Sequence, residues 1–314
     1  MRMLGTKELA EKLGVNEKKV YSLITEKGLP AIKVTGKWLF PEGLVERWIE
    51  NHTENHPGPS APPPPYNGLI VIGGSNDLLL DKAMNLFMQR NRGLTCAFAN
   101  LGSLGGLKAL RAGQCHMAAS HLLEDAESGS EYNFGHAARE LPELPAVVNF
   151  CRREQGLILP KGNPKGIREP ADLAKKGARV VNRSRATGTR LLFEKALSEA
   201  GVDTSRIQGF DDELGKHLDV GMAVLSGRAD AGPGIRAVAG VLGLDFISFG
   251  WERFDLIVPK EPFFEQGVQL FLGLLLEEEF REKAAAFDGY DVSSSGRMVF
   301  PQNADFRRAE NTAR

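Results

Sequence analysis

The sequence is poor in cysteine and has no long hydrophobic run, and both shortages exclude whole classes of protein. Only three cysteines occur among 314 residues, an odd number without metal-ligand spacing, which argues against a disulfide framework and a zinc site. No stretch approaches the roughly 18 apolar residues of a transmembrane helix. The N-terminal residues alternate charged and apolar side chains and lack the apolar region of a signal peptide. We therefore expect a cytoplasmic protein that makes no contact with a membrane.

The motifs of nucleotide hydrolysis and of common hydrolases are missing as well. No G-x-x-x-x-G-K-[ST] segment occurs, and Gly73-Gly74 lacks the spacing of a dinucleotide site. The sequence contains no nucleophile elbow, no metal-ligand cluster and no carboxylate pair with an evident role. These absences predict a protein that is not an enzyme and that needs no cofactor.

Charge is nearly balanced over the whole chain but not along it. The formal net charge is −1, yet residues 1–40 contain eight Lys and Arg against four Glu. A basic N-terminal segment on a neutral body is the charge asymmetry expected of a DNA-binding domain. The uneven distribution therefore favours a nucleic-acid partner for the first part of the chain.

A proline-rich segment divides the sequence. Residues 52–65 include six prolines and no large apolar side chain that could join a core, which is typical of an extended spacer. Before it, apolar residues follow a helical period. After it, short apolar runs alternate with amphipathic helical stretches, a pattern that predicts parallel sheets covered by helices. The predicted domains are 1–51, a linker over 52–66, and an α/β domain over 67–314.

The first domain has the pattern of a winged helix-turn-helix. Thr6 is placed to cap a helix that ends at Gly14, and Asn16 is placed to cap a second helix after a tight turn. Two short apolar runs around Gly36-Lys37 predict a β-hairpin wing, and a last helix is expected to start at Pro41. The second helix would expose Lys18, Lys19, Tyr21 and Ser22.

The segment TKELAEKLGVNEKKVYSLITEKGLPAIKVTGKWLFPEGLVERWI resembles the excisionase family of winged helix-turn-helix domains, which is related to MerR heads. The resemblance implies double-stranded DNA as the partner. It implies contacts from Lys18, Lys19, Tyr21 and Ser22 in the major groove and from Lys37 on the wing. A single head of this size has a small interface, so we expect a homodimer in which two heads bind together.

Three predicted strand-to-helix junctions of the larger domain are rich in small polar residues. They lie at 73–77, 100–106 and 182–190, and the third contains three arginines. In α/β sheets, ligands bind beyond the carboxyl ends of strands, where helix N-termini favour anions. Ordinary helix capping explains any one junction, but three in one domain predict a shared anion site.

Four segments of this domain resemble type II periplasmic-binding-protein-like domains that are fused to helix-turn-helix heads and associated with molybdate or tungstate sensing. They are LPAVVNFCRREQGLILPKGNPKGI, ARVVNRSRATGTRLLFEKAL, LDVGMAVLSGRADAGPGIRAVA and SFGWERFDLIVP. The resemblance implies two lobes, the first at about 67–150 and 259–314 and the second at about 160–250. It implies that the cleft residues are Ser75, Asn76, Ser103, His121, Arg183, Thr187, Gly188, Asp219 and Gly232.

Together these features predict a small winged helix-turn-helix head and a two-lobed α/β domain in a ligand-responsive transcription regulator. Its ligand would be a small anion, with molybdate or tungstate foremost, and lobe closure would change the affinity for DNA. Two alternatives stay open. One is an enzyme built on the two-lobed scaffold, and the other is an architectural DNA-binding protein without a ligand.

Overall fold

A computed structural model of the chain describes residues 2–34, 36–53, 66–124, 132–175, 177–185 and 187–301. The chain divides into two units, residues 1–60 and 61–314. Most of the predicted linker, residues 54–65, lies outside the described residues, so the domain limits at 51 and 67 remain predictions. No helix in the described ranges is long and apolar enough to cross a membrane.

The described part of the smaller unit consists of three helices and a three-stranded antiparallel sheet. The elements are β1 (Met3–Gly5), α1 (Thr6–Leu13), α2 (Glu17–Lys27), β2 (Ile32–Val34), β3 (Lys37–Pro41) and α3 (Glu42–His52). The strand order is β1-β3-β2, so β2 and β3 form the predicted hairpin wing. Leu9, Val20 and Phe40 are fully buried and hold the helices against the sheet. The helix-turn-helix prediction is confirmed.

Two local predictions in this unit are wrong. Thr6 is already inside α1, and the cap position belongs to Gly5, whose backbone N–H donates to the Glu8 carboxylate at 2.7 Å. Pro41 ends β3, where it pairs with Met3, and α3 begins one residue later. Both errors have the same cause, since the pairing of β1 with β3 extends the sheet to the helix starts.

The larger unit alternates strands and helices along its described residues. The strands are β4 (Leu69–Gly74), β5 (Thr95–Asn100), β6 (Met117–Ser120), β7 (Ala146–Leu159), β8 (Asn182–Arg183), β9 (Glu213–Leu214), β10 (Gly232–Ile235), β11 (Asp245–Val258), β12 (Tyr290–Asp291) and β13 (Met298–Val299). The helices are α4 (Leu78–Arg90), α5 (Gly102–Arg111), α6 (Phe134–Glu140), α7 (Ala171–Lys175), α8 (Gly188–Glu199), α9 (His217–Leu225), α10 (Arg236–Leu242), α11 (Lys260–Phe263), α12 (Gln266–Leu274) and α13 (Glu278–Ala285).

One large sheet runs through both lobes because β7 and β11 are each 14 residues long. Its strand order is β10-β7-β11-β6-β4-β5, with β12 and β13 also paired to β7. β4 is parallel to β5 and β6, whereas β11 is antiparallel to β6 and β7. The sheet is therefore mixed, and the expectation of purely parallel sheets is wrong. Each of these 14-residue strands has one end in the core of each lobe. A search for short apolar runs therefore finds two separate strands where the structure has one.

Apolar side chains form separate cores in the two lobes. One lobe packs around Phe87, Phe150 and Phe271, and the other packs around Phe193 and Val238. Along β7 the apolar stretches at both ends are interrupted by residues 152–155, whose sequence is Arg-Arg-Glu-Gln. The two-lobed α/β prediction is confirmed, and the polar middle of the long strands lies between the lobes' cores.

Candidate functional site

The middle of the paired strands β7 and β11 carries a buried polar cluster. Arg153 pairs with Glu252 in the strand register, and Gln155 is two residues further on the same face of β7. The Arg153 Nε and the Gln155 Nε2 both donate to the Glu252 Oε1, each at 2.6 Å. All three side chains are buried, so the register of two strands alone assembles a desolvated ion pair.

The loop between β4 and α4 completes the ion pair. Asp77 caps α4 by accepting the backbone N–H of Leu79 at 2.8 Å. Its second carboxylate oxygen accepts from the Arg153 Nη1 and from the Tyr290 hydroxyl, both at 2.8 Å. Arg153 is therefore held between two carboxylates, those of Asp77 and Glu252, and its charge is fully compensated.

His121, just after β6, lies at the centre of the predicted site. Its Nδ1 is 2.9 Å from the Glu252 Oε2 and its Nε2 is 3.0 Å from the Ser75 Oγ. Its backbone N–H donates to the Ser103 Oγ at 3.2 Å. A strand residue and a loop residue thus hold the imidazole, and a residue of α5 holds its backbone.

Burial decides the charge states in this cluster. Burial lowers the pKa of His121 more strongly than the Glu252 carboxylate raises it, so the imidazole is neutral near neutral pH. Burial alone would raise the pKa of Glu252, but His121 and Arg153 outweigh it and lower that pKa to about 2. The neutral ring therefore donates a hydrogen bond from Nδ1 to the ionised Glu252 carboxylate and accepts one at Nε2 from the Ser75 hydroxyl.

Arg183, on β8 of the second lobe, is a buried cation that forms no ion pair with the described carboxylates. Its Nη1 donates to the Leu214 carbonyl at 3.0 Å and its Nη2 to the Asn76 Oδ1 at 3.3 Å, a contact between the lobes. Its Nε has no hydrogen-bond partner, and no described carboxylate forms an ion pair with it. Burial, followed by the charge of Arg153, lowers the pKa of Arg183 to about 10. The group stays charged near neutral pH; the exposed Asp219 carboxylate raises its pKa from a distance, and no described carboxylate lies within ion-pair distance of it.

The N-terminus of α8 approaches the first lobe closely. Thr187 caps this helix, and its hydroxyl donates to the Ser184 carbonyl at 2.8 Å. A Cβ at Gly188 would lie 2.6 Å from the His121 Nδ1, so only glycine fits there. The next residue, Thr189, is buried, and its hydroxyl has no partner among the described residues. The first turn of α8 therefore contacts the wall of the site.

His217 is the first residue of α9 in the second lobe. It is fully buried, and neither ring nitrogen has a partner within the described chain. Burial, then the positive charge of Arg183, lowers the pKa of His217 well below its usual value. The ring is therefore neutral and offers one N–H donor and one acceptor nitrogen.

Most of the predicted cleft residues come together between the lobes, but their roles differ from expectation. Those that do are Ser75, Asn76, Ser103, His121, Arg183, Thr187 and Gly188. The Ser75 N–H donates to the Ala119 carbonyl at 2.9 Å and is therefore engaged within the first lobe. Asp219 is exposed on α9. Gly232 faces Val220 and Val181, whose methyl carbons lie 2.5 and 3.0 Å from its Cβ position, so it serves packing.

Sequence reasoning missed Asp77, Arg153, Gln155, Thr189, His217 and Glu252. A signal for two of them was present, since Arg153 and Gln155 stand two apart inside an apolar, strand-like segment. Such spacing points both side chains to one face of a strand. Polar residues on one face of a buried strand indicate either a buried network or a site.

The predicted DNA-contacting residues mostly lie on the surface of the smaller unit. Lys18, Lys19 and Tyr21 are exposed on α2, and Lys37 is exposed at the start of β3. Lys19 forms an exposed ion pair with Glu26 at 3.4 Å. Ser22 is half-buried, and its hydroxyl donates to the Lys19 carbonyl at 3.0 Å, so it is engaged within the helix.

Comparisons with known proteins match both units. The family described as "PBP superfamily domain" matches residues 84–276, and the family described as "Helix-turn-helix domain" matches residues 3–53. Neither is a family of enzymes. The combination is consistent with a ligand-sensing, DNA-binding regulator.

Individual proteins are similar over different lengths. The uncharacterized protein YvgK of Bacillus subtilis (strain 168) is 29% identical over 304 residues, which cover 93% of this chain and 96% of that protein. A protein from the 5′ region of a 2Fe-2S ferredoxin gene of Clostridium pasteurianum is 27% identical over 110 residues, covering 35% of this chain and 97% of that protein.

One solved structure shares the fold of the larger unit. It is described as a phosphate ABC transporter substrate-binding protein with bound phosphate, from Clostridium perfringens. It has a TM-score of 0.53 and 13% identity, and covers 74% of this chain and 98% of that chain. Because the PBP superfamily match spans more than half of the sequence, the chain belongs to the PBP superfamily domain family, with a helix-turn-helix domain at its N-terminal end.

Proposed function

We propose that this protein is a ligand-responsive transcription regulator that acts in the cytoplasm as a homodimer. It binds double-stranded DNA through the helix-turn-helix unit and a small anion between the lobes of the larger unit. The exposed basic side chains Lys18, Lys19 and Lys37 and the exposed Tyr21 support the DNA contact. They lie on the second helix of the helix-turn-helix and on its wing, the elements that reach the groove and the phosphates in such domains.

The buried charge of Arg183, which has no carboxylate within ion-pair distance among the described residues and an unpaired Nε, is the observation that carries the anion proposal. A buried guanidinium is stable only when anions and hydrogen bonds replace its lost hydration. Arg153 meets this requirement with Asp77 and Glu252, but Arg183 has a carbonyl and an amide oxygen only. An anion bound next to Arg183 would supply the missing charge and accept the free Nε–H.

The identity of the anion is the finer part of the proposal. The resemblance of the sequence to regulator domains names molybdate and tungstate, whereas the solved structure with the shared fold carries phosphate. All three are small tetrahedral oxyanions. We therefore propose a tetrahedral oxyanion as the ligand class, and phosphate belongs in every binding panel beside molybdate and tungstate.

A thermal-shift titration of the full chain tests the anion proposal. The panel consists of phosphate, molybdate, tungstate and sulfate, each with the wild type and with Arg183→Met. A ligand at 100 times its Kd stabilises the native state by about 2.7 kcal/mol, which corresponds to a rise in Tm of roughly 5–10 °C for a unit of this size. We expect such a rise with at least one anion for the wild type and none for Arg183→Met.

The apo variant provides a second readout. Removing an unpaired buried charge in favour of an apolar side chain of similar length is neutral or stabilising, so we expect apo Arg183→Met to melt no lower than the wild type. Arg185→Met is the matched control, because Arg185 lies two residues away and its side chain is 75% exposed. If no anion raises the Tm of the wild type, or if Arg183→Met responds equally, the anion proposal is wrong.

A further inference from the structure

The inference concerns which anions the site accepts, and it rests on the proposed anion-binding function. We propose that the interlobe site selects a small anion that also carries a hydrogen-bond donor. Such a ligand is a protonated oxyanion of the phosphate type or a small hydroxy acid. An anion that only accepts hydrogen bonds, such as sulfate or molybdate, would be bound more weakly.

Buried polar atoms without partners provide the evidence, and they include acceptors as well as donors. Among the described residues, the Arg153 Nη2 and the Arg183 Nε are unpaired donors. The Gln155 Oε1 is an unpaired acceptor. Each of these atoms is inaccessible to solvent, and leaving such an atom unpaired destabilises the protein. A ligand that satisfies all of them must both accept and donate.

The orientation of the Gln155 amide is determined by its neighbour. Its Nε2 is 2.6 Å from the Glu252 Oε1, and Glu252 is ionised because its pKa is about 2. Exchanging the amide nitrogen and oxygen would bring two acceptor oxygens together at that distance, which is repulsive. The Oε1 therefore points away from the carboxylate and stays an acceptor.

The unpaired groups surround the same region from both lobes. Gln155 and Arg153 share the Glu252 carboxylate with His121, and Gly188 lies against that histidine. From the second lobe, Arg183 reaches the same cluster through Asn76, which stands between Ser75 and Asp77 in the loop that contacts His121 and Arg153.

His217 lies on the other face of β7, since its Nδ1 is 3.8 Å from the position that a Cβ of Gly234 would take, and Gly234 pairs with Gly156, which points away from the face of Gln155. Burial, followed by the charges of Arg183 and Arg153, lowers the pKa of His217 well below its usual value. The neutral His217 ring has one unpaired donor and one unpaired acceptor, but the proposed selectivity rests on Gln155, Arg153 and Arg183. The hydroxyl of Thr189 can serve in either role.

Protonation distinguishes the tetrahedral anions. Near neutral pH inorganic phosphate carries at least one proton, whereas sulfate, molybdate and tungstate carry none. Phosphate can therefore accept from Arg183 and Arg153 and donate to the Gln155 Oε1. Sulfate has nearly the same size and shape, but it would leave that buried oxygen facing a ligand oxygen.

Two matched ligand pairs test the proposal by isothermal titration of the full chain. The pairs are phosphate against sulfate and lactate against propionate, and within each pair only the first member donates a hydrogen bond from its additional O–H. We expect the donor-bearing member of at least one pair to bind roughly 10- to 100-fold more tightly, the factor that one unpaired buried group produces. The pair that shows the preference identifies the inorganic or the organic source.

The variant Gln155→Met removes the acceptor while keeping the length of the side chain. We expect the preference for the donor-bearing member to shrink at least about fivefold through tighter binding of the acceptor-only member, because the unpaired oxygen is gone. Gln89→Met, at an exposed position of α4, is the control and should leave the preference unchanged.

Three outcomes contradict the selectivity proposal. In the first, sulfate and propionate bind as tightly as phosphate and lactate, and this comparison needs no variant. In the second, the preference survives unchanged in Gln155→Met. In the third, no anion binds and Arg183→Met has no effect, which overturns the anion-binding function together with its selectivity.

Discussion

At the scale of single residues, several buried polar groups of this site have no hydrogen-bond partner among the described residues. Arg153 and Arg183 are both buried arginines, but only Arg153 has carboxylate partners. The same contrast separates the histidines. His121 bonds Glu252 and Ser75, whereas both ring nitrogens of His217 lack a partner among the described residues. A buried polar group that has no hydrogen-bond partner destabilises the apo protein. A ligand that pairs with this group removes that cost, so the complex is stabilised relative to the apo protein.

His217 should make the stability of the apo protein sensitive to acid. Its folded pKa is lowered well below the ordinary 6.5, so below about pH 6.5 the unfolded chain takes up a proton that the folded chain does not. Above that pH, His217 does not reduce the free energy of unfolding. Below it, His217 reduces the free energy of unfolding by up to about 1.4 kcal/mol per pH unit. We expect His217→Met to reduce the loss of stability between about pH 7 and pH 5, as measured by urea unfolding midpoints.

His121 also contributes to the pH dependence of stability, and an exposed histidine provides a control. His121 is shifted in the same direction, so the variant should reduce the slope and not abolish it. His52→Gln, at an exposed position of the smaller unit, should leave the slope of the larger unit as it is. A slope that is identical in the wild type and in His217→Met would contradict a neutral, buried His217.

At the scale of secondary-structure elements, helix α2 is the element that we expect to enter the DNA groove. Its N-terminus is capped by Asn16, which accepts the Lys19 N–H at 2.8 Å, and its C-terminus ends at Gly28 with a φ of 62°. Val20 is fully buried against the core of the unit, which fixes the rotation of the helix. Lys18 and Tyr21 are therefore held on the exposed side by a rigid element.

Substitution of Lys18 tests this helix. If Lys18 meets a phosphate, Lys18→Ala should weaken binding to all DNA sequences similarly and reduce the slope of log K against log salt by about 0.9. Fluorescence anisotropy over a salt series, with duplexes enriched from a random pool by the full chain, measures both quantities. Lys108→Ala, at an exposed position of α5 in the larger unit, is the control. An unchanged salt slope in Lys18→Ala would remove Lys18 from the interface.

At the scale of the whole molecule, the proposed function requires free-energy coupling between two units. Ligand and DNA must each change the affinity of the other by the same factor, and in allosteric proteins this factor is typically about 5- to 150-fold. We expect a saturating anion to change the Kd for DNA by a factor in this range. The Kd for the anion, measured with and without saturating DNA, should change by an equal factor.

Arg183→Met separates coupling from direct effects of the anion on DNA binding. The variant should bind DNA as the apo wild type does and should not respond to the anion, because only the interlobe site is altered. If the anion changes DNA affinity equally in the wild type and the variant, its effect is ionic screening. If DNA affinity is independent of the anion in both, the larger unit does not regulate the smaller one through this site.

The sequence by itself determined those features that depend on neighbouring residues. The helical period and the cap at Asn16 located α2, and the residues around Gly36 located the wing, because caps and turns are made within a few residues. The charge of residues 1–40 indicated DNA in the same way. Small polar residues after apolar runs placed Ser75 and Ser103 near one site, since the parallel strands β4 and β5 end along one edge of one sheet. The same pattern marked Gly188, which follows β8 of a separate two-stranded sheet.

Only the tertiary structure decided which groups are paired. Glu252 meets Arg153 and His121 across 99 and 131 residues of chain, and these contacts depend on the register of β7 against β11 and on the loop after β6. A slip of one residue would turn each side chain to the opposite face. Whether Arg183 lacks a counter-ion, or Gly232 faces apolar side chains, likewise follows from packing between distant segments. The local sequence pattern could therefore predict an anion site. The register between distant strands determined which donors and acceptors in that site are unpaired.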